Sequence, residues 1–331
     1  MNEAELIARY FAPLAGEGGL GLRDDAALIA PPPGTEMIVT ADALIAGVHF
    51  FAADPPEQVA AKALAVNLSD LAAKAADPLG FLLTLALPPD WTPDWLEAFA
   101  HGLGTVADNY GCPLLGGDTV STPGPLTLSI TALGAVTAGR MARRTGARPG
   151  DSLYVSGTIG DAALGLLLRR AQVADAAPPD WAGALTAAQR DELVARYLAP
   201  RPRLALATAL RACASAAMDV SDGLVGDWRA MMRASGTSAR IDLRAAPLSA
   251  PARAALRADA GLAERIFCGG DDYEILCAVP AAATERFEAL AQAVGVPVAA
   301  IGAVGPAEAG DALIGPDGFP AAFSSEKFSH F

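Results

Sequence analysis

The sequence lacks most of the devices that announce a function class. Its four cysteines, Cys112, Cys213, Cys268 and Cys277, are scattered with no C-x-x-C pair. That excludes a zinc ribbon or a dithiol centre and predicts buried, reduced thiols. There is no Lys/Arg block: 24 basic residues stand against 37 acidic ones, for a formal net charge of −13. A nucleic-acid binder would carry a basic patch, so no nucleic-acid partner is expected. Hydrophobic residues make up 52% of the chain, yet no apolar run is long enough to span a bilayer, and no membrane partner is expected. The opening MNEAELIARYF has acids where a signal peptide has a basic end, which predicts a soluble cytoplasmic protein. Walker A, H-R-D and D-F-G motifs are all missing. A kinase built on this chain would have to use metals and Arg rather than a P-loop lysine.

What is present is length, helix-forming apolar sequence and acids in unusual places. At 331 residues the prior is two domains, and a polar, turn-rich stretch, Arg143–Asp151, sets the expected boundary: domains 1–147 and 148–331. The run Lys62–Asp77, KALAVNLSDLAAKAAD, predicts a helix. Leu64, Leu68, Leu71 and Ala75 form its apolar face, and Asn67, Asp70, Lys74 and Asp77 the opposite one. Taken alone, that polar stripe reads as a solvated face with an Asp70–Lys74 pair.

The other segments read in order. Glu3–Phe11 predicts a short amphipathic helix. Gly16–Gly21 matches G-x-G-x-x-G but follows no strand, so it reads as a mobile glycine loop running into Asp24-Asp25. Met37–Thr40 predicts a strand with Thr40, Asp42 and His49 at and beyond its end. Local alternatives are a turn or cap for Asp42 and a hydrogen-bonded, half-buried imidazole for His49. Gly80–Leu87 predicts a strand and Pro93–Tyr110 a helix. Pro113–Leu115 predicts a short strand delivering Gly116-Gly117-Asp118-Thr119. Leu126–Val136 and Ser152–Ser156 are further strands, and Ala171–Leu185 reads as an exposed Ala/Pro-rich linker. Met218-Asp219-Val220-Ser221-Asp222-Gly223 places two carboxylates at a strand-to-helix turn. Gly269-Gly270-Asp271-Asp272 leads into a strand, Ile275–Val279.

Asp25, Asp42, Asp70, Asp118, Asp219, Asp222 and Asp271 thus sit in apolar or glycine-rich surroundings. Carboxylates gathered in one pocket repel one another unless neutralised. With oxygen ligands and no His/Cys cluster, Mg²⁺ is the expected cation, and Mg²⁺ finished by phosphate oxygens points to nucleotide chemistry.

In order, RDDAAL (23–28), TADALIAGVHF (40–50), KALAVNLSDLAAKAADP (62–78), GGDT (116–119), RRTGARPGD (143–151), MDVSDGL (218–224), GGDDYEI (269–275) and the FSHF tail resemble the thiamine-monophosphate kinase family, within the aminoimidazole-ribonucleotide synthetase-like superfamily. The resemblance implies an α/β (α+β) fold of two domains: an N-terminal sheet domain that binds Mg-ATP and pairs in a homodimer, and a C-terminal α/β sandwich completing the active site. It implies transfer of a phosphoryl group from ATP to thiamine monophosphate, giving thiamine diphosphate by direct in-line displacement. Asp25, Thr40, Ala41 (through its carbonyl), Asp42, Asp70, Asp118, Asp219 and Asp222 match Mg²⁺-ligand positions, Asp70 being shared between ions. Tyr110, Gly117, Asp118, Arg144 and Ser221 match ATP-contacting positions; His49, Asp271 and Phe328 match substrate-contacting ones. Asp70, Asp222 and Arg144 would carry the chemistry. Three positions depart from the pattern: Ala41 stands where Thr is frequent, Asp271 where Glu is usual, and Arg23 where the first word begins with Gly. Two other readings stay open: a relative that makes another activated phosphate, and a non-catalytic Mg-nucleotide module. A selenophosphate-type relative would want a Cys or Lys near the N-terminal glycine loop, and this chain has neither there.

Overall fold

The computed structural model describes residues 2–323. The chain folds as two compact units. One is built from residues up to Leu71 together with Ala76–Gly139; the other from Ala72–Ala75 and the residues from Arg140 onward. The elements in order are α1 (Glu3–Leu6), β1 (Thr35–Ile45), α2 (Pro56–Ala73), β2 (Asp77–Leu87), α3 (Pro93–Tyr110), β3 (Leu114–Ser121) and β4 (Thr127–Thr137), then β5 (Ser152–Ser156), α4 (Asp161–Val173), α5 (Ala187–Leu198), α6 (Ala207–Cys213), β6 (Ala216–Val220) and α7 (Leu224–Ser235). They continue with β7 (Thr237–Asp242), α8 (Ala250–Ala258), α9 (Leu262–Cys268), β8 (Glu274–Val279), α10 (Thr284–Ala293), β9 (Val298–Pro306) and β10 (Ala312–Ile314).

The first unit holds a four-stranded sheet in the order β1-β4-β2-β3. Its pairs are antiparallel except β2 with β3. That parallel pair needs a long crossover, which α3 supplies. α3 starts on a Thr92 cap with Pro93 in its first turn and stops at Gly111 in the left-handed conformation (φ 61°); each is a strong local boundary signal. Gly102 lets α3 lie against α2, because a Cβ there would come within 2.5 Å of Glu57 Cα. One face of the sheet is buried. The other leaves Met37, Val39, Leu82 and Val120 exposed.

The second unit holds a six-stranded sheet in the order β10-β7-β9-β5-β8-β6. Its core gathers Leu153, Val155, Leu164, Leu193, Trp228 and Phe267, and a second cluster includes Tyr154, Leu210, Ile275 and Phe287. All four cysteines are buried, and none is in a disulfide. Among the described residues, no helix is long and apolar enough to cross a membrane.

Several sequence expectations need correction. The helix expected over 62–77 runs from Pro56 to Ala73. Ala75 then takes a left-handed φ of 58°, and Asp77 opens β2, so Asp77 is not on the helix. A non-glycine residue in that conformation is uncommon, which hid the stop. β1 continues to Ile45, so Asp42 lies inside the strand, opposite Ile130, rather than at its end or in a turn. The strand expected over 113–115 runs from Leu114 to Ser121, so Gly116–Thr119 lies within β3 rather than beyond its end. Glu17–Leu22 is a pair of 3₁₀ turns with left-handed Leu20 and Gly21, tied to β3 by the Gly16 N–H donating to Leu114 O at 2.8 Å. The stretch 171–185 is only partly an exposed connection: α4 runs to Val173, and Trp181, Ala182 and Leu185 are buried in the core.

Candidate active site

In the first unit, strand alternation sorts the proposed site residues onto two faces. Ile38, Thr40, Asp42 and Leu44 alternate inward along β1, while Met37, Val39, Ala41 and Ala43 point out. α2 meets the inward row. The Thr40 hydroxyl donates to the Asp70 carboxylate. The Asp42 N–H donates to Asn67 Oδ1 at 3.1 Å, and Asn67 Nδ2 donates back to Ala63 O, one turn earlier, at 3.1 Å. The Ser129 hydroxyl donates to Asp42 O at 3.1 Å. Asn67 is fully buried and Asp70 half-buried. Asn67 and Asp70 of the expected polar stripe therefore face β1 rather than forming a solvated surface.

This pairing has an electrostatic cost. The Asp42 carboxyl is pushed up to about 6, first by burial and then by the neighbouring charge of Asp70. Two such acids near each other disfavour joint ionisation. Lys74, one turn further, is half-buried and donates from Nζ to Ala217 O at 3.1 Å.

The second set lies on the other face. A cavity of about 640 Å³ is lined by Asp24, Asp25, Thr84, Gly117, Asp118 and Thr131, among others. Asp118 pairs with Thr84. Asp42, by contrast, shares its face with Ile130 and, through Ile130, with Leu83. The first unit therefore gathers Thr40, Asp42 and Asp70 on one side of its sheet, and Asp25 and Asp118 on the other; Gly117, opposite Leu83, is in register with the Asp42 row and borders the cavity. Gly117 has a reason independent of any ligand: with φ 155°, its Cβ would lie 1.8 Å from Leu83 O.

The remaining first-unit positions are Ala41, exposed opposite Thr131, and Tyr110, the last residue of α3. His49 sits in the turn after β1, half-buried, and its Nδ1 accepts the Ile45 N–H at 3.0 Å. That bond fixes which ring nitrogen is the acceptor and leaves Nε2 as the donor of a neutral imidazole.

In the second unit, Asp219 is buried near the end of β6. Ser221 and Asp222 follow in the turn before α7. Both of their N–H groups donate to one oxygen, Oδ2 of Asp227, each at 3.0 Å. Arg144 is exposed; its segment is held by the Ala217 N–H donating to Arg143 O at 2.8 Å. Asp271 donates its N–H to Ser221 O at 2.9 Å. Its left-handed φ of 74°, with 51° at Tyr273, marks a strained segment of the kind that functional sites retain. Phe328 lies outside the described residues.

Two features escaped the sequence reading. Asp227 could have been found as an acid in the first turn of α7, where a carboxylate complements the helix terminus. The other is a buried ionic cluster. Glu274 has no exposed surface; it is gripped by Arg203 at 2.6 and 2.5 Å, by Arg196 at 2.9 Å and by the Ser156 hydroxyl at 2.6 Å. Beside it, buried Asp272 accepts the Gly160 N–H at 3.0 and 2.9 Å, and burial pushes its carboxyl well up. No local pattern announces this cluster, because its partners come from distant elements.

Among the described residues, no three His, Cys, Asp or Glu side chains stand close enough to form a metal cage. The donor chemistry still fits a hard cation. Asp42 and Asp70 are neighbouring carboxyl groups whose repulsion a divalent ion would relieve, and Mg²⁺ is commonly held by one or two carboxylates with the rest of its shell from water and phosphate.

Comparison with known proteins covers both units. Residues 23–136 match the AIR synthase related protein, N-terminal domain, and residues 148–314 match the AIR synthase related protein, C-terminal domain. The chain is 44% identical to thiamine-monophosphate kinase of Caulobacter vibrioides over 91% of this chain and 83% of that protein. The crystal structure of thiamine-monophosphate kinase from Stenotrophomonas maltophilia K279a is 39% identical, with a TM-score of 0.76 over 91% of each chain. AaThiL complexed with AMPPCP and TMP is 29% identical, with a TM-score of 0.77 over 99% of this chain and 97% of that one.

Proposed function

The chain belongs to the thiamine-monophosphate kinase family, a group of phosphotransferases built on the two-domain AIR synthase related fold, and from that premise we propose that it transfers the γ-phosphoryl group of Mg-ATP to the phosphate of thiamine monophosphate, in line, in the cytoplasm. The observation that carries this reading is the likeness across both units to a structure complexed with AMPPCP, an ATP analogue, and TMP.

In this reading Asp25, Thr40, Ala41, Asp42, Asp70 and Asp118 of the first unit, with Asp219 and Asp222 of the second, hold Mg²⁺. Tyr110, Gly117, Asp118, Arg144 and Ser221 hold ATP; His49, Asp271 and Phe328 hold the acceptor. Bound Mg²⁺ supplies the positive charge that offsets repulsion between donor and acceptor phosphates. The protein's own groups orient. Thr40 fixes one oxygen of Asp70, leaving the other available for a cation. Arg144 offers a planar fork suited to paired phosphate oxygens. His49 presents Nε2–H as a donor while Nδ1 is engaged by the backbone. The acceptor phosphate is already anionic at neutral pH, so the reaction needs no strong general base.

A homodimer is part of the proposal. The exposed row Met37, Val39, Leu82 and Val120 is the kind of apolar sheet face that self-association covers. Light scattering behind a sizing column tests it; a monomer at micromolar concentration overturns it.

The deciding experiment is incubation with ATP, Mg²⁺ and thiamine monophosphate, with chromatography for thiamine diphosphate. Stoichiometric ADP and thiamine diphosphate are expected, and neither should form when a chelator removes Mg²⁺. No product with thiamine monophosphate, together with turnover of a different acceptor, overturns the assignment.

A further inference from the structure

We infer that Asp227 is a positioning residue: its carboxylate clamps the Ser221–Asp222 turn in the orientation that meets the metal-bound nucleotide. The inference rests on the proposed nucleotide and metal roles of Ser221 and Asp222, and goes beyond them by naming what holds them.

Asp227 sits in the first turn of α7 and is 4% exposed. Its backbone N–H already begins the helix by donating to Gly223 O at 3.0 Å. Its side chain turns back past the helix start, so that Oδ2 accepts the N–H groups of both Ser221 and Asp222. Two successive N–H groups aimed at one oxygen fix the peptide plane between them, and with it the direction in which each side chain leaves the turn.

The opposite side of the turn is closed as well. Ser221 O accepts the Asp271 N–H at 2.9 Å. Gly270 lies so near that a Cβ on it would come within 2.5 Å of Ser221 O, and a Cβ on Gly223 would come within 2.6 Å of Cys268 C. Backbone closure therefore limits the turn from one side while Asp227 holds it from the other. Groups that orient ligands in this indirect way matter nearly as much as the ligands themselves.

The alternative is a carboxylate that merely caps α7. Three full-length variants separate the two. D227N keeps an oxygen acceptor and loses the charge; D227A loses both; D227E keeps the charge and displaces the oxygen by one methylene. The readouts are calorimetric binding of Mg-AMPPCP without acceptor, thermal melting, and the division of any activity loss between KM and kcat. D227A is expected to melt cooperatively and bind Mg-AMPPCP about tenfold or more weakly, with D227N between it and wild type. A D227A protein that melts lower but binds Mg-AMPPCP as wild type does would reduce Asp227 to a helix cap and overturn the inference. If D227A does not fold, D227E carries the test: folded D227E should also bind weakly, and wild-type affinity overturns the inference. The binding measurement needs no thiamine compound. A wild-type chain that binds Mg-AMPPCP but makes no thiamine diphosphate overturns the proposed reaction while leaving Asp227 to be judged on binding; a wild-type chain that binds no Mg-AMPPCP overturns both.

Discussion

The hydroxyl of Thr40, on β1, donates to the carboxylate of Asp70, on α2. That bond occupies one oxygen of Asp70 and fixes its direction. Asp70→Asn should therefore cut turnover by about a hundredfold or more, on the scale of removing a group that orients transition-state charge. The fold should survive, because an amide can still accept from Thr40. Steady-state kinetics at saturating Mg²⁺, with a melting curve on the same sample, check it. Turnover within a few-fold of wild type would remove Asp70 from the centre of the site.

Asp42 gives a prediction with a definite sign. Its carboxyl is pushed up to about 6 from an ordinary 3.8, by burial first and by Asp70 second. Between those values the folded chain binds more protons than the unfolded one, so this group makes stability fall as pH rises through that window. Below the lower value the penalty is absent; above the upper value it is complete. Without divalent metal, Asp42→Asn should be more stable than wild type at pH 7.5 by about 1–2 kcal/mol, a figure discounted for the partial exposure of the site. The gain should vanish near pH 3.5. Urea unfolding at several pH values measures it. Added Mg²⁺ should remove the variant's advantage at high pH by stabilising wild type alone; an advantage that grows as the pH falls contradicts the argument.

How much of this was legible in the sequence depended on where the signal was local. Thr92-Pro93 and Gly111 mark both ends of α3, and the sequence reading placed them correctly. The end of α2 was not legible, because the stop is made by Ala75 in a conformation alanine rarely takes. The full length of β1 was hidden because Thr40 and Asp42 look like a strand terminus, when Asn67 and Asp70 from α2 satisfy them in mid-strand. In the site, acids beside glycines could be picked out one by one. Their sorting onto opposite sheet faces could not, since it depends on register between β2, β3 and β4. The Glu274 cluster was invisible for a related reason: Arg203 and Arg196 lie 71 and 78 residues away in sequence.

That cluster gives the third prediction. Glu274 is the shared counter-ion of two guanidinium groups whose side chains are 8% and 19% exposed. Glu274→Ala removes the negative partner and leaves both cations in a poorly hydrated interior. Breaking a buried pair from one side typically costs about 3–5 kcal/mol, and that is the loss expected in denaturant unfolding. The loss should change little between low and high salt, because buried pairs are screened weakly. A loss under about 1 kcal/mol would show the cluster to be better solvated than its burial implies.

The fourth prediction separates two reasons for the glycines of Gly116-Gly117-Asp118. Gly117 matches a nucleotide-contacting position, and close approach of a ligand is one reason to lack a side chain. The sheet offers another. β2 and β3 pair in parallel with Leu83 opposite Gly117, and a Cβ at Gly117 would lie 1.8 Å from Leu83 O, whereas one at Gly116 would lie 3.4 Å from the end of the flexible Leu82 side chain. If sheet spacing is what requires glycine, the two alanine variants must differ in stability before any ligand is added. Gly116→Ala should cost about 1 kcal/mol or less, and Gly117→Ala about 3 kcal/mol or more, since the backbone of a neighbouring strand has to move. Melting temperatures without nucleotide decide it. Equal stability of the two variants, with nucleotide binding lost only in Gly117→Ala, would return Gly117 to the role of ligand contact and show that the β2–β3 pair can yield where its geometry says it cannot.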